Sequence, residues 1–355
     1  MSARGDVLGP AKYALLGAAL LTAGALAWHV QRLQRLASER DARPTDLPLD
    51  SLTLPRERVV VAAAPGAFPR LPVDPPTLAR EEAEAARIGR GKFLVAGDPV
   101  IGVVAGGEAR AYPLRLLDVH EVVNDTVGDV PLLVAWHPLS SAAGVYERRV
   151  GSSRLAFATS GALYESTQLL LDDRPEASLW SPLLGRAVAG PRRGEALRAW
   201  PCELTRWDLW RKAHPETRVL APAKALERLY RQALYRNYRG SDELRFPVSK
   251  LPPPGLRRKE PVLVVRAGGE RRVFPHALLA RRVDAAGYWR TRLGGVELEF
   301  FYRPGTRDDD APVASVRSLH GEPLEVVRCA WFAWFATHPD DAHLAVDMPR
   351  AHGQG

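Results

Sequence analysis

In the stretch HEVVNDTVGDVPLLVAWHP, residues 120–138, a histidine stands at each end of two β-rich runs separated by Gly128-Asp129. Such a dipeptide between apolar runs signals a two-residue hairpin loop. With that loop, Val127 faces Val130 and, counting outward, His120 faces His137. The pair falls on a non-hydrogen-bonded rung, where Cα atoms stand about 4.5 Å apart and side chains meet. Pro131 occupies a rung of the same kind, so its missing N–H costs the ladder nothing. Two imidazoles placed this way begin a site for a borderline ion such as zinc or copper, with Asp118, Ser140 or an acid from further along as a third ligand. With no third ligand fixed by the sequence, the plainer reading is a histidine pair bonded to backbone and water.

Acid–base candidates lie close by: Glu121 and Asp125 in the same stretch, and Asp172 and Asp173 further on. Asn124 and Ser140 complete the candidate pocket. The stretch is not the helical H-E-x-x-H zinc pattern, because Asn124 stands where the second histidine would be. In a strand Asn124 also lies about 13 Å from His120, too far to share an ion. Of the two hairpin faces, Val123, Val127, Val130, Leu132, Val134 and Trp136 make the better core. The histidine face is therefore expected towards a cleft or solvent.

The elements that position these residues occur twice. DPVIGVVAGGEARAYPLRLL (98–117) is echoed by EPVLVVRAGGERRVFPHALL (260–279), each a strand, a Gly-Gly turn and a second strand ended by proline. VGDVPLLVAW (127–136) is echoed by LGGVELEFFY (293–302), a second hairpin. WDLWRKAHPET (207–217) is echoed by WFAWFATHPDD (331–341), whose tryptophans three apart share one face of a short helix stopped by proline. The expectation is an α+β body, mainly antiparallel β, in two pseudo-repeats of hairpin, hairpin and closing helix.

Expected boundaries are a first repeat over 70–222 carrying a large insertion, SGALYESTQLLLDDRPEASLWSPLLGRAVAG, a linker helix and loop over 223–258, and a second repeat over 259–341. A disordered tail follows over 342–355. Residues present in both copies are scaffold; His214 and His338, each before a proline at a helix end, are sorted there and expected to contact terminal carbonyls. HEVVND has no counterpart, since the second copy reads AGYWRT at 286–291, and His137-Pro138 is matched by Arg303-Pro304. Residues found once are the candidates for function.

Ahead of the body, YALLGAALLTAGALAWHVQ is uncharged and just long enough to cross a bilayer core of about 30 Å. Residues 1–36 are expected to form an N-terminal transmembrane helix, with cleavage near the ALA of Ala25–Ala27 as the alternative. A strict positive-inside count, with Arg32, Arg35, Arg40 and Arg43 after the span, favours a cytoplasmic body; the signal-like start favours an extracytoplasmic one, which is the expectation adopted. Residues 37–69 are Pro-rich and read as a tether with at most one strand, at Val59 to Ala63.

At 355 residues, 46% hydrophobic and 25% charged, the chain is of globular rather than disordered composition. The net charge of +8 is carried mostly by arginines interspersed with acids, so it does not single out a polyanion surface. Arg228, Arg231, Arg236 and Arg239 interleave with Tyr230, Tyr235 and Tyr238, which could stack bases and neutralise phosphates. A helix stripe of Leu226, Leu229, Tyr230 and Ala233 explains much of that run, so nucleic acid is not the expected partner. Cys202 and Cys329 lack metal or redox spacing and could at most form one bridge. No G-x-S-x-G elbow, P-loop or dinucleotide fingerprint occurs.

DPVIGVVAGGEARAYPLRLLDVHEVVNDTVGDVPLLVAWHPLSSA, with SGALYES, DDRPEASLWS, ELTRWDLWRKAHPET, FPVSK and WFAWFATHP, resembles a bacterial family known as domain of unknown function 3179, over about residues 70–340. The resemblance implies an exported or membrane-attached, periplasmic body and carries no established activity. Where the family usually reads Cys-Pro-Leu-Cys, this chain has His137-Pro138-Leu139-Ser140. Ser140 supplies neither a soft ligand nor a disulfide partner. The expected function is an extracytoplasmic binding or scaffold domain with a degenerate first-repeat site; the alternatives are a metal-dependent or redox-related enzyme using His120 and His137, and polyanion binding.

Overall fold

A computed structural model of the chain describes residues 47–305 and 312–344. The candidate membrane span and the far C-terminal tail lie outside the described residues, and among those described no helix is long and apolar enough to cross a membrane.

From Leu47 the Pro-rich stretch is docked rather than free. Leu47, Leu49, Leu52 and Leu54 pack on a cluster that includes Val59, Tyr164 and Leu179. Strand β1 (Val59–Val61) then pairs antiparallel with residues 162–164 of the insertion. The one expected strand is thus present, but it closes a sheet instead of lying in a tether. Strand β2 (Thr77–Ala79) follows.

The first half opens with β3 (Pro99–Ala105) and β4 (Glu108–Pro113), joined through Gly106 and Gly107, both with positive φ. Helix α1 (Leu114–His120) comes next, then β5 (Val122–Val127), β6 (Val130–His137) and β7 (Ala142–Glu147). The insertion contributes β8 (Phe157–Tyr164), β9 (Thr167–Asp172), β10 (Leu179–Ser181) and β11 (Arg186–Ala189). Strand β12 (Cys202–Arg206) and helix α2 (Trp207–Ala213) end this half, and β13 (Arg218–Leu220) leads out of it. The linker holds two short helices, α3 (Glu227–Tyr230) and α4 (Arg236–Gly240), rather than one. Leu229 and Tyr230 of the expected stripe are buried, whereas Ala233 is exposed.

The second half runs β14 (Pro261–Ala267), β15 (Glu270–Pro275), α5 (His276–Arg282), β16 (Tyr288–Leu293), β17 (Val296–Arg303), β18 (Val313–Ser318), β19 (Glu325–Ala330) and α6 (Trp331–Thr337). Both halves therefore follow one order: hairpin, helix, hairpin, third strand, closing strand, helix. The helix between the hairpins is an addition to the expected order. Pro113 and Pro275 end a strand and, with extended φ and ψ, cap the helix that follows.

The strands form a sheet β12-β3-β4-β13-β2, a sheet containing β15-β14-β19-β7-β6-β5, an insertion sheet β1-β8-β9-β10-β11 and a smaller sheet β16-β17-β18. The halves are joined where β19 meets β7, at Arg328↔Ala143. Val123, Val127, Leu132, Val134 and Trp136 lie in the first core, as their face of the hairpin required. The opposite face is not open. Val122, Leu133 and Ala135 pack with Phe157, Leu170 and Trp180 of the insertion, which covers the face expected towards a cleft or solvent.

Trp207 and Trp331 are fully buried, and each half ends with a histidine ring on the tryptophan four residues before it, Trp210–His214 at 4.0 Å and Trp334–His338 at 3.9 Å between centroids. These histidines lie against indoles, His338 stacked and His214 tilted, where terminal carbonyls were the expected contacts.

Candidate functional site

The hairpin register holds from Val127↔Val130 as far as Val122↔Ala135, and then it stops. Glu121 takes a left-handed conformation, φ +60°, and caps α1 with its N–H donating to Leu117 O at 2.8 Å. His120 is consequently the last residue of a helix and not a strand residue opposite His137. The cross-strand pair is corrected on this point: its two rings have separate partners, and among the described residues no hydrogen bond joins them.

Both nitrogens of His120 are engaged. Nδ1 lies 2.7 Å from Pro69 O, and because a carbonyl only accepts, Nδ1 carries the hydrogen. The lone pair of Nε2 then accepts from the Tyr230 hydroxyl at 2.7 Å. No lone pair is left for an ion in this arrangement. Burial pushes the imidazole pKa down to about 4, so the ring is neutral at pH 7. His137 sits at the end of β6, with Nδ1 2.8 Å from Ser140 Oγ, and burial lowers its pKa to about 3. Among the described residues no three His, Cys, Asp or Glu side chains converge as an ion site. The zinc or copper alternative at His120 and His137 thus loses the facing-strand geometry from which it was argued.

The other half of HEVVND is also turned inward. Glu121 is 4% exposed, and burial together with the nearby Asp118 raises its carboxyl pKa to about 8. Asp118 accepts from Trp136 Nε1 at 2.9 Å and pairs with Arg239 of α4, whose guanidinium also lies over the Trp136 and Tyr235 rings. Here the linker is fastened to the first half. Asn124 exchanges two 2.8 Å bonds with the backbone of Phe157, its Nδ2 donating to the carbonyl and its Oδ1 accepting from the N–H. Asp125 accepts from Arg110 at 2.9 Å, Tyr112 OH at 2.8 Å and the Thr126 N–H at 2.8 Å.

In the insertion, Asp172 accepts from Trp180 Nε1 at 2.9 Å, and Asp173 accepts from the Ala156 N–H at 3.1 Å. Glu121, Asp125, Asp172 and Asp173 thus stand in separate surroundings, and the structure does not gather them around one pair of histidines.

Several buried polar residues were not singled out by the sequence reading. Glu165 and Ser166 form the β8–β9 turn with φ +48° and +59°, unusual for non-glycine residues. The Glu165 carboxylate accepts from Ser249 N–H at 2.7 Å and Ser249 Oγ at 2.6 Å, while Ser166 Oγ has no partner. Arg148 is fully buried and donates to three carbonyls, those of Leu132, Leu155 and Asp125. The segments SGALYES and FPVSK carried the signal for Glu165 and Ser249, but spacing alone did not link them across 84 positions.

A small cavity, with room for about one water molecule, is lined by Ala135, Ala142, Gly144, Tyr146, Gln168 and, from the second half, Arg328. Gln168 Oε1 is buried without a partner. His137 pairs with Ala142 and follows Ala135 by two, so it shares the face from which these residues line the cavity. Cys202 and Cys329 are both free thiols, so the bridge that composition allowed is not formed. Burial raises the pKa of each.

The architecture defines an α+β protein, mainly antiparallel β, whose singled-out polar residues are, Asp173 apart, buried and largely hydrogen-bonded. The family described as a protein of unknown function (DUF3179) matches residues 66–341, and the chain belongs to that family. No curated protein and no solved structure matches the chain.

Proposed function

We propose that this protein is a membrane-anchored, extracytoplasmic binding or scaffold domain built on a duplicated body, in which the first-half site has become structural. The observation that carries this reading is that both ring nitrogens of His120 are taken, by Pro69 O and by the Tyr230 hydroxyl. The same use extends to Asn124, bound to the insertion, and Asp118, bound to the linker. Duplication is supported by matching element order and by a shared turn contact. The two hairpin turns of each half touch, Gly106 against Gly128 and Gly268 against Gly294, so closely that an added Cβ would meet backbone at 3.0 Å or less.

The anchored, periplasmic placement rests on the uncharged stretch before Arg32 and on what family membership suggests. Expression of the full chain fused to a reporter active only outside the cytoplasm tests it. A reporter that works only when the fusion stays inside would overturn the placement.

The binding or scaffold reading is tested by metal analysis of tag-free full-length protein beside a His120→Ala variant. The expected result is no stoichiometric zinc or copper in either, with lowered thermal stability in the variant. Stoichiometric metal in the wild type that is lost in the variant supports the metal-enzyme alternative instead. Polyanion binding is less well supported, because Tyr230 and Tyr238 spend their hydroxyls on His120 and Leu139 O, and Arg239 pairs with Asp118.

A further inference from the structure

Buried arginines in the first half are matched. Arg110 pairs with Asp125, and Arg148 spends its donors on carbonyls. Arg328 of β19 is 6% exposed and is not matched in this way. Among the described residues its guanidinium makes one protein hydrogen bond, a weak one from Nη1 to Cys202 Sγ at 3.9 Å, and no carboxylate oxygen lies within 4.0 Å. Its Nε is buried without a partner. An uncompensated buried cation costs several kcal/mol, on the order of that for any unpaired ion in the interior.

A second unpartnered group stands on the same side of the fold. His276 opens α5, two residues after Phe274, and Phe274 and Arg328 both pair with Leu263 on neighbouring strands. Its Nδ1 is shielded from solvent and has no partner, while the ring lies edge-on to Tyr302 at 5.6 Å. After burial, the charge of Arg328 is what holds this imidazole down, to about 4. Glu260, on this side, is engaged elsewhere: its Oε1 accepts the Ala277 N–H at 2.7 Å and its Oε2 lies 4.0 Å from Arg257.

The first half has Leu204 three residues before Trp207 and Leu114 after Pro113, where the second half has Arg328 before Trp331 and His276 after Pro275. The two polar groups are thus confined to the second half, and Cys202 reaches them from the first.

We propose that Arg328, His276 and the Cys202 thiol bind one small monovalent anion at the seam between the halves. Charge sets the valence: one guanidinium beside a neutral imidazole balances a single negative charge, and a dianion would leave an unmatched charge buried. Access sets the size. His276 and Cys202 are half-buried and Arg328 is buried, and the small cavity that Arg328 lines has room for about one water molecule, so the ion enters past their edges and is no larger than a halide or formate. The inference does not depend on the function proposed above.

The test uses full-length protein in sodium gluconate, whose anion is too large to enter, with chloride substituted at constant ionic strength. Thermal midpoints of the wild type should rise saturably with chloride, as for any ligand bound only by the folded state. Arg328→Met should weaken the response about tenfold or more, as expected for loss of a charge-assisted bond. Chloride-35 line broadening gives a second readout, with excess width in the wild type displaced by bromide. Should Arg328→Met fail to fold, His276→Phe serves, with a chloride response several-fold weaker than that of the wild type. Superimposable midpoints in chloride and gluconate, no excess broadening, or a full response in both variants would overturn the proposal.

Discussion

Replacing Glu121 with glutamine should stabilise the protein at neutral pH, and the gain should grow with pH in a defined way. In the unfolded chain a glutamate titrates near 4.5, whereas burial and Asp118 raise the folded value to about 8. The folded state therefore retains a proton that the unfolded state releases. Between these two values stability falls as pH rises, at about 1.36 kcal/mol per unit. At pH 7 the accumulated loss is at most about 3 kcal/mol. Glutamine keeps the shape and does not titrate, and its Cβ leaves the left-handed backbone no more strained than glutamate does.

Whole-protein profiles alone would not isolate the effect. His120, His137, His276 and His338 all have lowered folded values, about 4, 3, 4 and 4, so each favours folding as pH rises towards 6.5. The informative quantity is the difference between Glu121→Gln and wild type in urea unfolding, from pH 4.5 to 8.5. It should start near zero and climb across that window. A flat difference, or a variant less stable at pH 8 than at pH 5 relative to wild type, would refute the burial argument.

Asn124→Ala leaves both backbone groups of Phe157 without their partners and should cost about 2–5 kcal/mol by urea unfolding; a loss below about 1 kcal/mol would mean that water replaces the clamp. Gly268→Ala places a Cβ 1.8 Å from Gly294 O at φ +54°, whereas Gly269→Ala, at φ +82°, meets nothing within 4 Å. The second should cost only about 1–2 kcal/mol of backbone strain and the first clearly more, compared by thermal unfolding; equal losses would contradict the turn-on-turn contact. Tyr230→Phe removes the donor to His120 Nε2 and should cost about 1–2 kcal/mol, while nitrogen-15 shifts of His120 continue to report a hydrogen on Nδ1.

Much of the scaffold was legible because it depends on local pattern. Paired glycines at 106–107, 268–269 and 294–295 all take positive φ, and the hairpins they close have the register that counting from the turn gives. The tryptophans of the closing helices are buried as their spacing required. What failed needed knowledge of distant segments. Counting from Gly128-Asp129 assumes an extended chain at every step, and Glu121 breaks that assumption with one left-handed residue. Nothing in the hairpin itself shows that β8 and β9 would cover its histidine face.

Sorting residues by whether both halves carry them selects function only if the halves have the same surroundings. Here they do not, because the first half must also hold an insertion and a linker. Its one-copy polar residues go largely to those one-copy segments: Asn124 to Phe157, His120 to Tyr230, Asp118 to Arg239. Difference between the halves thus marks docking as readily as chemistry. Arg328 and His276 are the converse case. They are polar in the second half where the first has leucines, and Nε of one and Nδ1 of the other remain unpartnered. A polar group kept in the interior without a protein partner calls for a ligand in a way that a satisfied histidine does not, which shifts the search for this protein's chemistry from HEVVND to the seam.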